Sequence, residues 1–250
     1  MKPFLKIENI SKKYPNSKKH ALFDFDLNIF PGEIIAVVGK SGSGKSTFLR
    51  CVNGLTKTSS GNIYFKEKNT KSMSSKEYRK YRTNIGFIFQ NYNLQNRISV
   101  LDNVLTGLLG QRNPLMTTFG LWSKQDKEKG KSILVEMGLG QHVNKRADQL
   151  SGGEKQRVSI ARALIQNPKI ILADEPVASL DPPTAKKILD DLKAKCKKRK
   201  IAVVINLHDV EMALRYSDRI VGLRNGEKVW DSPSSEATEE SFKQIYQKDE

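Results

Sequence analysis

Nine consecutive residues, Gly39, Lys40, Ser41, Gly42, Ser43, Gly44, Lys45, Ser46 and Thr47, have the types and spacing to hold a polyphosphate. The glycines let backbone N–H groups turn inward around phosphate oxygens. The helix expected to start here adds partial positive charge at the same place. In the phosphate-binding-loop pattern Lys45 reaches the β- and γ-phosphates and Ser46 gives its hydroxyl to Mg²⁺. The competing reading is a glycine-rich structural turn. The context argues against it, because the apolar run Ile34–Val38 precedes the loop and a helical pattern from about Lys45 to Asn53 follows.

A second chemical signal closes the apolar run that begins at Ile170 and ends in Asp174-Glu175-Pro176. Asp174 is placed to hold Mg²⁺, and Glu175 to polarise an attacking water and take its proton. On its own such a strand end could be an acidic turn; the phosphate loop upstream favours chemistry. A third signal is Leu150-Ser151-Gly152-Gly153-Glu154, which opens another helical pattern and forms a further anion site at a helix N-terminus. A chain with one phosphate loop has no use for two cradles. Two chains arranged head to tail do, since each Ser151-Gly152-Gly153 segment then caps the nucleotide held by the other.

Strand-length apolar runs at Ile34–Val38, Asn84–Phe89, Ile170–Asp174 and Ile201–Leu207 alternate with helical patterns at about Glu154–Gln166 and Pro182–Lys198. That alternation predicts an α/β fold with a mainly parallel sheet. Asn225-Gly226, between Arg219–Arg224 and Glu227–Asp231, predicts a hairpin, because a type I′ turn needs positive φ at both central residues. From about Asn91 to Leu150 β-rich runs give way to helices with polar joints, which reads as a helical insert. Ser232–Glu250 reads as a polar helix and tail.

At 250 residues the chain can bury one large core. Its formal charge of +16 suggests phosphate-rich partners without choosing among them. The basic run Lys197, Lys198, Arg199 and Lys200 reads as a solvated helix end. The two cysteines, Cys51 and Cys196, fit neither a metal-ligand nor a disulfide pattern. Lys2, Pro3 and Lys6 leave no room for an apolar signal segment. No apolar run approaches the roughly 20 residues that cross a bilayer, so a membrane role requires a partner.

With these motifs in hand, the chain resembles the ATP-binding subunits of ABC transporters over essentially its whole length. The family's LSGGQ signature stands here as LSGGE, with Glu154 at the departing position. The resemblance assigns Tyr14 to stacking on adenine and Gln90 to the Q-loop, where it touches Mg²⁺ and water. Asp181, in Ser179-Leu180-Asp181, matches the loop that crosses the dimer interface. His208 matches the switch histidine at the γ-phosphate. The implied fold is an α/β P-loop NTPase (RecA-like) core with a mainly parallel sheet, an antiparallel β subdomain and an inserted α-helical subdomain. In those terms 1–250 is one domain: about 1–90 and 160–231 form the core with the β subdomain, about 91–159 the helical subdomain, and 232–250 a C-terminal helix and tail. The implied cofactors are ATP and Mg²⁺, with catalysis by Glu175, His208, Gln90 and Lys45. The metal would lie at Ser46, Gln90 and Asp174. The nucleotide would lie at Tyr14, the loop from Gly39 to Thr47, Ser151, Gly152, Gly153 and Asp181. Lys40 and the Pro182-Pro183 pair depart from the family's pattern and remove no reactive group.

Finer similarity points to phosphonate-importer ATPases. It lies in Leu172–Pro182, in Asn206–Arg224, and in Ser99–Gly107 followed by a long insert with Trp122 that suits partner docking. The resemblance implies a homodimer with ATP at its interface, bound to transmembrane permease subunits and served indirectly by a solute-binding protein. Its place would be peripheral, on the cytoplasmic face of the inner membrane. Phosphite, hypophosphite and phosphate esters are related solutes. Methionine or polar amino acid importers and lipoprotein- or macrolide-type exporters are the alternatives. A soluble ATPase acting on nucleic acid is disfavoured, because Lys45 and Ser151 lie 106 residues apart, room for a helical subdomain and not for a coiled-coil arm. A small-molecule P-loop kinase would not need the signature segment, Asp181 or His208.

Overall fold

The computed structural model describes residues 2–15 and 17–247. Its strands are β1 (Leu5–Lys13), β2 (His20–Ile29), β3 (Ile34–Val38), β4 (Ser60–Phe65), β5 (Lys68–Asn69), β6 (Ile85–Ile88), β7 (Ile170–Ala173), β8 (Ala202–Asn206), β9 (Arg219–Arg224) and β10 (Glu227–Pro233). The helices are α1 (Lys45–Val52), α2 (Ser75–Thr83), α3 (Val100–Leu105), α4 (Pro114–Thr118), α5 (Lys124–Glu136), α6 (Gly152–Leu164), α7 (Pro182–Arg199), α8 (Val210–Tyr216) and α9 (Glu239–Tyr246).

Two sheets organise the chain. One runs β10-β9-β3-β8-β7-β6 and is parallel from β9 through β6; β10 pairs antiparallel with β9 through the Asn225-Gly226 turn. Its inner strands β3, β7 and β8 are buried at every residue, as expected where helices cover both faces. The other sheet, β2-β1-β4-β5, is antiparallel. Between β6 and β7 the ordered elements are helical apart from one bridge between Ser99 and Arg146. Two buried clusters fill the two faces of the mainly parallel sheet. One packs Ile34, Ala36 and Val38 with α3, α5, α6 and α7; the other packs Ile35 and Val37 with α1 and the antiparallel sheet.

Helix ends follow local chemistry. α6 starts two residues before the expected Glu154, because Ser151 and Glu154 form a capping box. α7 ends at Lys200 in the left-handed region (φ 53°). The basic run there is solvated as expected, with Lys197, Lys198 and Lys200 exposed; Lys197 pairs at the surface with Asp218 at 2.6 Å and the half-buried Arg199 with Glu136 at 2.6 Å. The C-terminal segment is amphipathic and not merely polar. α9 buries Ile245, which packs over Gly222 of β9; the tail at 248–250 lies outside the described residues. Cys51 and Cys196 are free and buried.

Asp126 of α5 is buried beneath Arg112, which grips both carboxylate oxygens and anchors the segment leading into α4. That grip holds the Asp126 carboxyl below its ordinary range. Asp126→Asn is expected to cost about 2 kcal/mol in urea unfolding, as for hydrogen bonds to a charged group. The wild-type advantage should be complete above the carboxylate value of the unfolded chain. It should vanish as pH falls from there through the lowered native value.

Candidate nucleotide-binding and hydrolysis site

The carboxyl ends of four adjacent strands meet at one place. β3 leads into the loop Gly39–Gly44, β6 into Gln90, β7 into Asp174 and Glu175, and β8 into His208. Ligands of open α/β sheets gather at such strand ends.

Two of the loop's glycines, Gly39 and Gly44, leave no room for a side chain. At Gly39 (φ 150°) a Cβ would lie 2.2 Å from the Leu223 carbonyl oxygen, and at Gly44 (φ 108°) 2.3 Å from that of Ala21. Lys45 is only 4% exposed. Its ammonium donates to the carbonyls of Gly39 (2.7 Å) and Lys40 (3.0 Å), so it lies curled under the loop. Burial pushes Lys45 below the usual lysine range, opposed by the nearby carboxylates of Glu175 and Asp174. Ser41 and Gly42 are exposed, Ser43 is buried, and Thr47 is half-buried on α1. Lys40 extends the other way and donates to the carbonyl of Gln247 at the end of α9 (2.8 Å).

The Ser46 hydroxyl donates to Asp174 Oδ1 at 2.7 Å. Both groups offer hard oxygen donors, and the serine keeps its lone pairs free. That donor set fits Mg²⁺, which takes one or two protein oxygens and completes its shell with phosphate and water. Gln90 contributes differently: its amide donates to Glu175 Oε2 at 2.9 Å. His208 Nε2 lies 2.5 Å from Glu175 Oε1, within hydrogen-bonding distance. Glu175 itself has φ 49°, in the left-handed region that is strained for a residue other than glycine. The candidate base is thus gripped from both sides and set on a strained backbone.

Other residues singled out by sequence stand apart from this cluster. Tyr14 is 38% exposed, with the Lys12 ammonium 5.1 Å from its ring centre. Asp181 caps α7, accepting from the Thr184 amide at 3.0 Å. Ser151 donates through its hydroxyl to Glu154 Oε2 at 2.9 Å, and His142 lies 3.2 Å from the other Glu154 oxygen. The residue that departs from the family signature is therefore the partner of the signature serine. α6 also reaches back to the Gln90–Glu175–His208 cluster. Arg162, pushed down to about 10 by burial, donates to the Tyr92 carbonyl (2.6 Å) and the Asn93 carbonyl (2.5 Å), just after Gln90.

Asn206 was not singled out from the sequence. It is fully buried and donates to Asp174 Oδ1 at 2.8 Å. The available signal was a lone amide in the otherwise apolar run Ile201–Leu207.

The family model for the ABC transporter matches residues 22–178. The chain belongs to the ABC transporter family. It is 44% identical over 245 residues to the phosphonates import ATP-binding protein of Lactococcus lactis subsp. cremoris, covering 98% of this chain and 99% of that protein. To the corresponding protein of Lactobacillus johnsonii it is 48% identical over 242 residues, covering 97% and 95%. Among solved structures it is similar to an ATP-binding cassette in a dimeric post-hydrolysis state bound to ADP and Pi. There the TM-score is 0.80 at 35% identity, covering 92% of this chain and 98% of that one. It is also similar to cbiO1 of Clostridium perfringens, part of an ABC transporter complex, with TM-score 0.81 at 31% identity, covering 94% and 90%. The ABC ATPase fold expected from the sequence is therefore the fold of this chain. Among the described residues no helix is long and apolar enough to cross a membrane.

Proposed function

We propose that this chain hydrolyses ATP to power import of a phosphonate or a related phosphorus compound through separate permease subunits. The observation that carries the ATPase reading is the convergence of Ser46 on Asp174, and of Gln90 and His208 on Glu175. The solute class is supported by the phosphonate importers to which the chain is similar over nearly its full length.

In this reading the amides from Gly39 to Gly44 and the Lys45 ammonium hold the β- and γ-phosphates, and Tyr14 stacks on adenine. Ser46 and Asp174, with Gln90 nearby, hold Mg²⁺, which when bound neutralises charge on the phosphates. Glu175 accepts the proton of the attacking water. His208 steadies Glu175 and donates toward charge building on the transferred phosphoryl group. Ser151, Gly152 and Gly153 of a second copy, with its Asp181 at the interface, close over the nucleotide. Domain limits of about 1–90 and 160–231 for the core, and 91–159 for the helical part, suit this division of labour.

Permease contact fits a groove of about 1020 Å³ between α2, β6 and the segment after α3, lined by Tyr78, Arg79, Phe87, Phe89, Thr106 and Leu109. Arg162 lines the same groove and clamps the carbonyls after Gln90. A permease segment seated there could shift Gln90 and, through it, Glu175. The membrane association would be peripheral, on the cytoplasmic side, with a solute-binding protein acting at one remove.

The test is growth of a deletion strain on a phosphonate or phosphite as sole phosphorus source. Wild-type chain should restore growth and Lys45→Ala should not. Equal growth with and without the chain on every reduced-phosphorus source would remove the solute assignment and bring amino acid import or export forward.

A further inference from the structure

Asn206 is the last residue of β8, two positions before His208. Its backbone is paired with Val37 of β3, the strand that feeds the phosphate loop. On the other side β8 pairs with β7, whose chain continues into Asp174. The amide therefore sits between the two strands that deliver the metal-binding candidates. Its Nδ2 donates to Asp174 Oδ1 at 2.8 Å. The opposite orientation would face the amide oxygen toward a carboxylate, so electrostatics fixes which end points at Asp174.

The rest of the amide is poorly served. Asn206 Oδ1 is buried with no hydrogen-bond partner among the described residues. A buried acceptor left without a partner is unfavourable. The other four residues of β8, Ala202, Val203, Val204 and Ile205, are apolar and buried. An apolar side chain at 206 would avoid that penalty but would lose the bond to Asp174. The contact that accounts for an amide in this apolar strand is therefore the one with the Asp174 carboxylate.

The carboxylate it touches is loaded unequally. Oδ1 of Asp174 receives both the Ser46 hydroxyl at 2.7 Å and the Asn206 amide at 2.8 Å. Among the described residues no hydrogen bond reaches Oδ2. Two donors on one oxygen fix the rotation of the carboxylate and leave the other oxygen for a ligand. The same arrangement commits the Ser46 proton to Asp174 and so leaves the serine lone pairs to face a cation.

We propose that Asn206 is a positioning residue for Mg²⁺ binding: it clamps Asp174 and, through Asp174, orients the Ser46 hydroxyl. It touches neither nucleotide nor metal itself. This inference rests on the ATPase reading above. Removing a partner that orients a metal ligand typically weakens metal affinity by roughly 10- to 100-fold.

The experiment uses the full chain and a fluorescent ATP analogue, titrated with Mg²⁺ at fixed analogue concentration and, separately, with analogue in EDTA. Asn206→Leu, of similar size, should raise the half-saturating Mg²⁺ about tenfold and leave the metal-free affinity within about twofold. In an Asp174→Asn background the same change should add nothing, since the residue acts through that carboxylate. A folded Asn206→Leu with an unchanged Mg²⁺ midpoint overturns the proposal. So does equal weakening with and without Mg²⁺ accompanied by a lower melting temperature, the pattern of a purely structural amide. If the leucine variant is not recovered folded, Asn206→Ser, whose hydroxyl falls a bond short of the amide's reach, is judged by the same midpoint. Wild-type chain that binds no analogue even with Mg²⁺ removes the ATPase reading and this inference together. Wild type that binds normally beside an unaffected variant removes this inference alone.

Discussion

Lys45→Ala should reduce ATP turnover by at least about 10³-fold, read as phosphate release by the purified chain, and should weaken binding of a fluorescent ATP analogue in parallel. The size follows from the place of the ammonium. It is almost wholly buried, its partners are two carbonyls of the loop itself, and the carboxylates of Glu175 and Asp174 lie near enough to raise its pKa against burial. A buried cation beside a transferring phosphoryl group acts in a low dielectric, where losing it costs about 4 kcal/mol, equivalent to three factors of ten. Two controls separate chemistry from folding. Thermal melting should show a cooperative transition for the variant. Lys40→Ala should bind the analogue much as wild type does, because Lys40 is turned away onto the carbonyl of Gln247. Near-normal turnover by Lys45→Ala would end the assignment of this loop to phosphate binding.

What could be read from the sequence was whatever is written contiguously. The phosphate loop, the Asp174-Glu175 strand end and the signature segment each carry their chemistry within a few neighbouring residues, and each lies beside a run whose periodicity is clear. The all-apolar strands β3, β7 and β8 announced themselves for the same reason. The antiparallel sheet did not, and its strands entered only as an implication of family resemblance. β1 and β2 are bulged: register shifts occur between Ile7 and Ile10 and again near Lys12, and Asn9 and Asp24 take positive φ. Bulges break the two-residue alternation by which a half-buried strand is recognised.

The contacts that assemble the site were illegible for a different reason. Asn206 and Asp174 are 32 residues apart, and Gln90 and Glu175 are 85 apart. Nothing local to either partner encodes such a pairing; the strand order β3-β8-β7-β6 creates it. The lone amide in β8 was the one trace left in sequence, and a trace of that kind has meaning only once its neighbour is known. Glu154 is the converse case. As a departure from the family signature it drew notice, and its role proved local: it closes a capping box on Ser151 and faces His142.

Glu175→Gln should separate nucleotide binding from hydrolysis. Turnover should fall by about 10³-fold, within the range for loss of a general base, while ATP and Mg²⁺ still bind. The amide has the same length as the carboxylate, so the Gln90 and His208 contacts can be kept in altered form. What disappears is the lone pair able to take a proton from water. With chemistry blocked, the nucleotide stays between its phosphate loop and the signature segment that completes the site. In this chain the Ser151 hydroxyl and amide are both bonded to Glu154, so the N-terminus of α6 is capped by a residue of its own. A phosphate held by a second copy must displace or share that cap, and the helix N-terminus rewards it for doing so with aligned N–H groups. Size-exclusion chromatography with light scattering should therefore find dimers of Glu175→Gln in ATP and Mg²⁺, monomers without nucleotide, and monomers again when Lys45→Ala is added. Monomers under all three conditions would contradict the shared site. Rapid hydrolysis by Glu175→Gln would move the base to another residue. Because Glu175 is the residue on which Gln90 and His208 converge, loss of hydrolysis with binding and dimerisation retained is the outcome that ties this strained, doubly held carboxylate to the chemical step.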